Sequence, residues 1–139
     1  MLALLANARA ARSAEPPEAA LWSRLHLIET AFRSGDAEAL RVSFPSTAKV
    51  RVDLKDVTDG PASYGPGQLQ VVFAQLFRAC RTREFVFRKE DVSGASGTAF
   101  ARGRWVRGNR GSPEMVDSLS FTLRREDGDW RIHEILSSR

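Results

Sequence analysis

Three titratable residues in the C-terminal part of the chain could perform acid–base chemistry: His133, Glu134 and Asp117. General acid–base catalysis needs such a group inside a pocket, with a pKa moved toward neutrality. Asp117 shares the alternation of Leu119 and Phe121, so we expect it to point inward, unless the start of its strand lies outside the buried zone. A buried carboxylate without a partner is costly and would therefore indicate function.

His133 and Glu134 are neighbours, so in a regular strand their side chains point to opposite faces and only one can lie inside. Continuing the alternation of Trp130 and Ile132 buries Glu134 and exposes His133. A bulge that buries Ile135 instead changes which of the two points inward. The structural alternative to a catalytic His133 is a surface or hydrogen-bonded strand histidine.

The other reactive residue types point to structure rather than chemistry. Cys80 falls on the apolar stripe of a predicted helix, so we expect a small core residue. One cysteine and two histidines exclude a disulfide framework and an ordinary structural zinc site. Gly65-Pro-Gly67 lacks the length and the lysine of a phosphate-binding loop. We therefore expect no metal and no cofactor.

Positive charge is unevenly distributed along a chain whose net charge is +4, because nine basic and three acidic residues lie between Arg78 and Arg110. Such a sector can attract phosphate or an acidic partner, and it can equally be the solvated face of a sheet. It lacks repeated surface aromatics and an RNA-binding motif, so we expect no nucleic-acid partner. The arginines of the anion-binding alternative are Arg78, Arg81, Arg83, Arg88, Arg102, Arg104, Arg107 and Arg110.

The elements that must position these residues are helices first and antiparallel strands afterwards, which indicates an α+β fold. Leu21, Leu25, Ile28 and Phe32 follow a helical spacing, and Asp36 caps a second, short helix. The predicted helices cover 18–34, 37–44 and a segment after Gly65-Pro-Gly67, and the predicted strands cover 48–55, 62–64, 84–92, 98–107, 115–125 and 130–136.

The length of 139 residues and the mass of 15.4 kDa correspond to one domain, which we place at 18–139. Residues 1–17 are predicted to be a mobile arm or the remnant of a signal peptide. No stretch approaches the roughly 18 apolar residues that a membrane-spanning helix needs. We expect a cytoplasmic protein, or an exported one if the signal peptide is truncated, with no membrane partner.

Three segments together resemble the nuclear transport factor 2-like superfamily, which includes SnoaL-type polyketide cyclases and ketosteroid isomerases. They are Ser34-Gly-Asp-Ala-Glu-Ala-Leu40 followed by Phe44, the Tyr64-Gly65 entry to the long helix, and Gly128-Asp-Trp-Arg-Ile132 in the last hairpin. The resemblance covers about Ala20 to Ser137 and implies a cone-shaped fold, with N-terminal helices packed on a curved, mostly antiparallel sheet. It also implies a pocket between helices and concave sheet, and frequent dimerisation through the sheet.

In ketosteroid isomerase-like members an aspartate base stands on the strand after the Gly-Asp helix, and the resemblance places Val52 there. This favours a non-catalytic module that binds a small hydrophobic ligand or a protein partner and forms a homodimer. The alternative is an acid–base enzyme (an isomerase, cyclase or hydratase) that acts on a small hydrophobic substrate through His133, Glu134 or Asp117. The residues assigned to the ligand pocket are Tyr64, Phe73, Phe77, Trp105 and Phe121.

Overall fold

The described part of the chain, residues 16–109 and 111–138 of a computed structural model, forms three helices and six strands. The arm or signal remnant predicted over 1–17 lies outside the described residues, except for the two prolines with which the first helix begins. No helix in the described ranges is long and apolar enough to cross a membrane. The elements are α1 (Pro16–Ser34), α2 (Ala37–Arg41), β1 (Val50–Asp53), β2 (Ala62–Tyr64), α3 (Pro66–Ala79), β3 (Cys80–Ala95), β4 (Thr98–Asn109), β5 (Met115–Glu126) and β6 (Asp129–Ser137).

The strands form one open, curved sheet in the order β2-β1-β6-β5-β4-β3. Strands β3 to β6 are the antiparallel meander that the sequence predicts, whereas β1 pairs with β6 in parallel. The helices pack on the concave face, and the opposite face is called the convex face below. The predicted α+β fold, with N-terminal helices on a curved and mostly antiparallel sheet, is confirmed.

The apolar stripe of α1 is buried as its spacing predicts, because Leu21, Leu25, Ile28 and Phe32 are all at most 7% exposed. Burying one such side chain contributes roughly 1.5–3 kcal/mol. The chain then turns through Gly35, and the carboxylate of Asp36 caps α2 by accepting the Ala39 N–H at 3.0 Å. Burial of one face against the rest of the protein therefore stabilises α1, whereas α2 begins at a local side-chain cap.

The ring of Phe32 lies at the centre of the core. It stacks on Phe85 with ring centroids 4.1 Å apart, and it meets Trp105 edge-on at 5.4 Å. Gly103 of β4 makes room for these rings, since a Cβ there would lie 2.6 Å from the ring of Phe85 and 3.1 Å from that of Phe87. Aromatic side chains thus fill the space between α1, α3 and the concave face.

Strand β3 begins at Cys80, four residues earlier than the predicted 84–92 strand. The first residues of β3 show no apolar alternation, yet Arg81 and Thr82 pair with Gly108 and Arg107 of β4. Backbone pairing extends the strand where side chains give no signal. Cys80 is buried as expected. It was predicted as the last apolar residue of the helix, but it is the first residue of β3.

The edge of the sheet at β3 is covered by side chains of α1. The Glu29 carboxylate accepts the Phe87 N–H at 2.8 Å, and Arg33 donates to the Phe85 carbonyl at 3.1 Å. Immediately after Phe87 the register breaks, and residues 88–91 bulge away from β4 before pairing resumes at Val92. The helix thereby anchors the edge strand at the point where it changes direction.

Candidate functional site

The two candidates on β6 lie at a bulge. Leu123 pairs with Ile132 while Thr122 pairs with Glu134, so His133 has no partner residue in the ladder. Ile135 is fully buried, so the bulge predicted as an alternative from the sequence is present, but it turns neither His133 nor Glu134 toward the core. One extra residue resets the alternation of the strand.

Both side chains make contacts away from the concave face. The Glu134 carboxylate lies 3.5 Å from the Thr122 hydroxyl and 3.7 Å from the Arg51 guanidinium, both on the convex face. His133 Nε2 lies 2.6 Å from a carboxylate oxygen of Glu126, at the end of β5. These contacts direct both candidates away from the core.

Asp117 does point inward, as predicted, because it pairs with Trp105 across β4 and β5. Its carboxylate is not alone: the Arg107 Nε donates to it at 2.7 Å, and the two side chains are only 12% and 6% exposed. The Arg107 guanidinium also lies 4.7 Å from the centre of the Trp105 ring. The negative charge of Asp117 is therefore neutralised by a buried cation rather than available as an isolated base.

The thiol of Cys80 belongs to the same polar cluster at the start of β3. Burial raises the pKa of the thiol, and the positive charge and hydrogen bond of Arg107 counter only part of that effect. The charge of Asp117 raises the same pKa further. Cys80 is thus held as a thiol, which is the weaker nucleophile.

The five residues assigned to a ligand pocket lie in or beside the core. Phe73 and Phe121 each lie with their ring centroid 6.1 Å from that of Phe32, and Phe77 lies at 5.4 Å. Trp105 is 1% exposed and its indole N–H donates to the Thr82 hydroxyl at 2.9 Å, while Tyr64 of β2 is half-buried. Four of these side chains therefore pack round one ring, and their role as a ligand pocket stays a prediction.

A cleft of about 710 Å³ opens between the first turns of α1 and the β3–β4 hairpin. Its volume falls in the range of roughly 300–1,000 Å³ that small-molecule sites occupy. Below it is called the α1–hairpin cleft. It is lined by Glu18, Leu21, Trp22, Lys89, Val92, Ser93, Gly94, Ala95, Ser96, Gly97, Arg125 and Trp130.

Three parts of the fold shape this cleft. The bulge of β3 carries Lys89 to one wall, and the turn that follows is tied to β5 because the Arg125 N–H donates to the Gly97 carbonyl at 2.8 Å. Trp22, next to the apolar stripe of α1, is half-buried, and Trp130 at the start of β6 is 4% exposed. The cleft therefore combines an apolar floor with cationic side chains in its lining.

An ion pair joins α1 to β6 next to Trp130. Arg24 donates to both carboxylate oxygens of Asp129, at 2.8 and 3.0 Å, and to the Ser43 hydroxyl at 3.2 Å. Burial raises the pKa of Asp129, but the hydrogen bond and charge of Arg24, the Trp130 N–H and the charge of Arg131 together lower that pKa below its usual range. This contact anchors the start of β6 to α1.

The arginines of the predicted basic sector do not all lie on one surface, although Arg88, Arg102 and Arg104 line one shallow pocket. Arg107 is buried, Arg83 pairs with Glu114 at 2.6 Å, and Arg104 pairs with Glu84 at 3.3 Å. Arg110 lies outside the described residues. Within the part of the chain that the structure describes, no cluster of three metal-ligating side chains is present.

Comparison with known proteins identifies the architecture. The sequence matches no protein-family model and no curated protein sequence. Among solved structures, a nuclear transport factor 2-like protein of unknown function from Shewanella oneidensis MR-1 is 16% identical, with 88% of this chain and 99% of that one covered and a TM-score of 0.66. This chain has the nuclear transport factor 2-like fold.

Two further neighbours have similarly low identity. A candidate dehydratase of the nuclear transport factor 2-like family from Streptomyces avermitilis is 18% identical, with 88% of this chain and 95% of that chain covered and a TM-score of 0.62. A domain of unknown function with a cystatin-like fold from Nostoc punctiforme is 17% identical, with 90% and 78% covered and a TM-score of 0.66. At these identities the likeness establishes the fold alone.

Two residues of this nuclear transport factor 2-like fold bear on catalysis at β1. Val52, at the position where the resemblance places an aspartate base, is fully buried and apolar. Its neighbour Asp53 is half-buried, and its backbone carbonyl accepts the Ser137 hydroxyl at 3.1 Å. The position of the base therefore carries no carboxyl group here.

The residues that line the α1–hairpin cleft were not among the predicted site residues. Two of the three tryptophans of the chain, Trp22 and Trp130, line it, and tryptophan is a residue type enriched in binding sites. That signal could have indicated both residues. It could not have brought them together, because they lie on α1 and β6, near opposite ends of the sequence.

Proposed function

We propose that this protein is a non-catalytic small-ligand-binding domain and that its ligand occupies the α1–hairpin cleft. The observation that carries the proposal is the cleft itself, with a volume of about 710 Å³ and the indoles of Trp22 and Trp130 in its lining. Small-molecule sites are typically concave and mostly apolar, with a few polar groups that fix orientation. Leu21 and Val92 add apolar surface, and Ser93 adds a hydroxyl.

The contacts of the acid–base candidates support a role without catalysis. Asp117 is bound to Arg107 at 2.7 Å, and His133 lies 2.6 Å from a Glu126 carboxylate oxygen. A general base must reach the proton of a bound substrate, and none of these candidates lines the α1–hairpin cleft.

The alternative is an acid–base enzyme acting on a small hydrophobic substrate. It is supported by the Streptomyces avermitilis neighbour described as a candidate dehydratase, and by the inward position of Asp117. Catalysis by Asp117 would first require the ion pair with Arg107 to open, which leaves a buried cation without its partner. That cost favours the binding role.

A second proposal concerns self-association. We propose that two copies pair through the convex face, which exposes the large apolar residues Phe100 and Val116 at 55% and 59%. Phe100 lies on β4 and Val116 on β5, two neighbouring strands that are not at the edge of the sheet. Large apolar side chains exposed on a sheet face are a common feature of surfaces that pair.

Binding in the cleft is tested with the neutral fluorophore N-phenyl-1-naphthylamine, titrated into the full chain and followed by its emission and by energy transfer from tryptophan. We expect saturable binding that Trp22→Ala weakens about tenfold or more, since aromatic anchors contribute of the order of 2 kcal/mol. Ala95→Trp, which fills the cleft from its exposed wall, should weaken binding without disturbing the core.

The matched control is Leu27→Ala, since Leu27 is 51% exposed on the same helix but does not line the cleft. Its affinity for the probe should equal that of the wild type. Absence of saturable binding, or equal affinity in wild type and Ala95→Trp, would show that the cleft is not a ligand site.

A further inference from the structure

Two cations line the α1–hairpin cleft without an ion-pair partner among the described residues. Lys89 extends from the bulge of β3, and Arg125 lies near the end of β5. Both side chains are exposed, so water now solvates their charges. A ligand anion placed between them would gain attraction from both, because apolar walls lower the local dielectric constant.

One acidic residue, Glu18 in the first turn of α1, lines the same cleft. The three charged side chains together carry a net charge of +1. This balance suits a ligand with one negative charge, since a second one would meet the carboxylate of Glu18.

The apolar part of the lining lies next to one of the cations, since Arg125 pairs with Trp130 across β5 and β6. Trp130 is 4% exposed and Leu21 is 7% exposed, so each offers only a small surface at the bottom of the cleft. Half-buried Trp22 offers a larger ring surface. Flat apolar groups pack well on indole rings. A ligand that rests on these rings would have its polar end next to Arg125.

We infer that the cleft binds an amphiphilic monoanion, with a flat apolar body that lies on Trp22 and Trp130 and one carboxylate or sulfonate between Lys89 and Arg125. The inference rests on the proposed ligand-binding function and adds the chemical class of the ligand. It names an anionic group that a purely hydrophobic ligand does not have.

The test compares two probes that differ in a single anionic group. They are neutral N-phenyl-1-naphthylamine and its 8-sulfonate, 8-anilinonaphthalene-1-sulfonate, each titrated into the full chain at low salt. We expect the sulfonate to bind about tenfold more tightly, as two partly screened charge contacts would give. The difference should shrink as ionic strength rises, because exposed charges are screened.

The double variant Lys89→Ala/Arg125→Ala should bring the two affinities to within about twofold of each other, because the sulfonate then loses both charge contacts. The matched control is Lys55→Ala/Arg81→Ala, which removes the same charge from two exposed residues that do not line the cleft. This control should keep the preference for the sulfonate.

The possible results distinguish the inferred class of ligand from the proposed ligand-binding function. The anionic ligand class is wrong if the two probes bind the wild type with equal affinity, or if the preference for the sulfonate survives in Lys89→Ala/Arg125→Ala. In either case, the ligand-binding function still stands if Ala95→Trp weakens the binding of the neutral probe. If neither probe binds, both the function and the ligand class are wrong. A preference lost only in the cleft variant supports both.

Discussion

At the scale of single residues, the pair formed by Arg24 and Asp129 connects stability to pH. The Arg24 side chain is 9% exposed and that of Asp129 is 41% exposed. The pKa of Asp129 is lowered in the folded protein, since Arg24, the Trp130 N–H and Arg131 together outweigh the effect of burial. A group with a lowered pKa adds stability above its unfolded pKa, about 3.9 for aspartate, and that stability is lost as the pH falls through the folded value.

We therefore predict that Asp129→Asn destabilises the protein at pH 7 by about 1 kcal/mol, because Asp129 remains partly exposed and the pair is screened. The difference between variant and wild type should diminish as the pH falls below about 4, where the carboxyl becomes protonated first in the unfolded and then in the folded chain. Urea unfolding between pH 3 and pH 7 measures both effects.

The control for this prediction is Asp127→Asn in the neighbouring turn. Asp127 is exposed and has a φ of 52°, a conformation that asparagine also tolerates. Its unfolding free energy should match the wild type at every pH. A pH-independent loss in Asp129→Asn would contradict the assignment of the effect to its charge.

A second prediction at this scale concerns the thiol of Cys80. Burial raises its pKa and the charge of Asp117 adds to that rise, while Arg107 opposes it. Asp117→Asn removes the negative charge and leaves Arg107 to stabilise the thiolate. We expect the pH profile of alkylation by iodoacetamide to move to lower pH, with a faster reaction near pH 8.

Glu114→Gln is the matched control, since it removes one negative charge from an exposed ion pair with Arg83. The alkylation profile should not move in this variant. An unmoved profile in Asp117→Asn would count against the electrostatic explanation. Local unfolding would also move the profile to lower pH, because it removes the burial that raises the pKa of the thiol. A moved profile therefore supports the explanation only if the near-UV circular dichroism of Asp117→Asn matches that of the wild type.

At the scale of elements, the contact between β4 and the aromatic core depends on a missing side chain. A Cβ at Gly103 would lie 2.6 Å from Cζ and 2.9 Å from Cε1 of Phe85, an approach that a core cannot accept without moving. We predict that Gly103→Ala destabilises the protein by about 1–3 kcal/mol, the usual cost of overpacking, as measured by urea unfolding.

Gly108→Ala on the same strand provides the comparison, because its nearest neighbour would be a Glu114 carbon at 3.9 Å. Its stability should change by less than about 0.5 kcal/mol. Equal effects of the two substitutions would mean that the loss comes from backbone flexibility rather than from the ring of Phe85.

The same elements show what the sequence could and could not predict. The stripe of α1 and the four-stranded meander were predicted correctly because each depends on a local period of side chains. The bulge at 88–91 was not predicted and the bulge at His133 was given only as an alternative, because a bulge depends on register with a neighbouring strand. For the same reason, Lys89 and Arg125 could not be assigned to a common cleft.

At the scale of the whole molecule, the proposed pairing through the convex face can be tested by placing charge on it. Phe100→Glu should weaken the dimer about thirtyfold, since burying a charge in place of an apolar contact costs of the order of 2 kcal/mol. Sedimentation velocity over a range of protein concentrations measures the shift from dimer to monomer.

Val71→Glu on α3 is the control, because Val71 is 56% exposed and belongs to the helical layer. It should leave the association unchanged. A wild-type chain that sediments as a monomer at about 100 μM, where a weak specific dimer already forms, would refute the pairing.

The edge of β3, closed by Glu29 and Arg33 of α1, affects how the protein behaves when it is damaged or stressed. An uncovered strand edge is a template on which another chain can add a strand. The cover belongs to α1, whose apolar stripe is buried in the core, so this template is exposed only when the core itself opens. Fibril nucleation at this edge should therefore follow the global stability of the domain rather than local fraying of the strand.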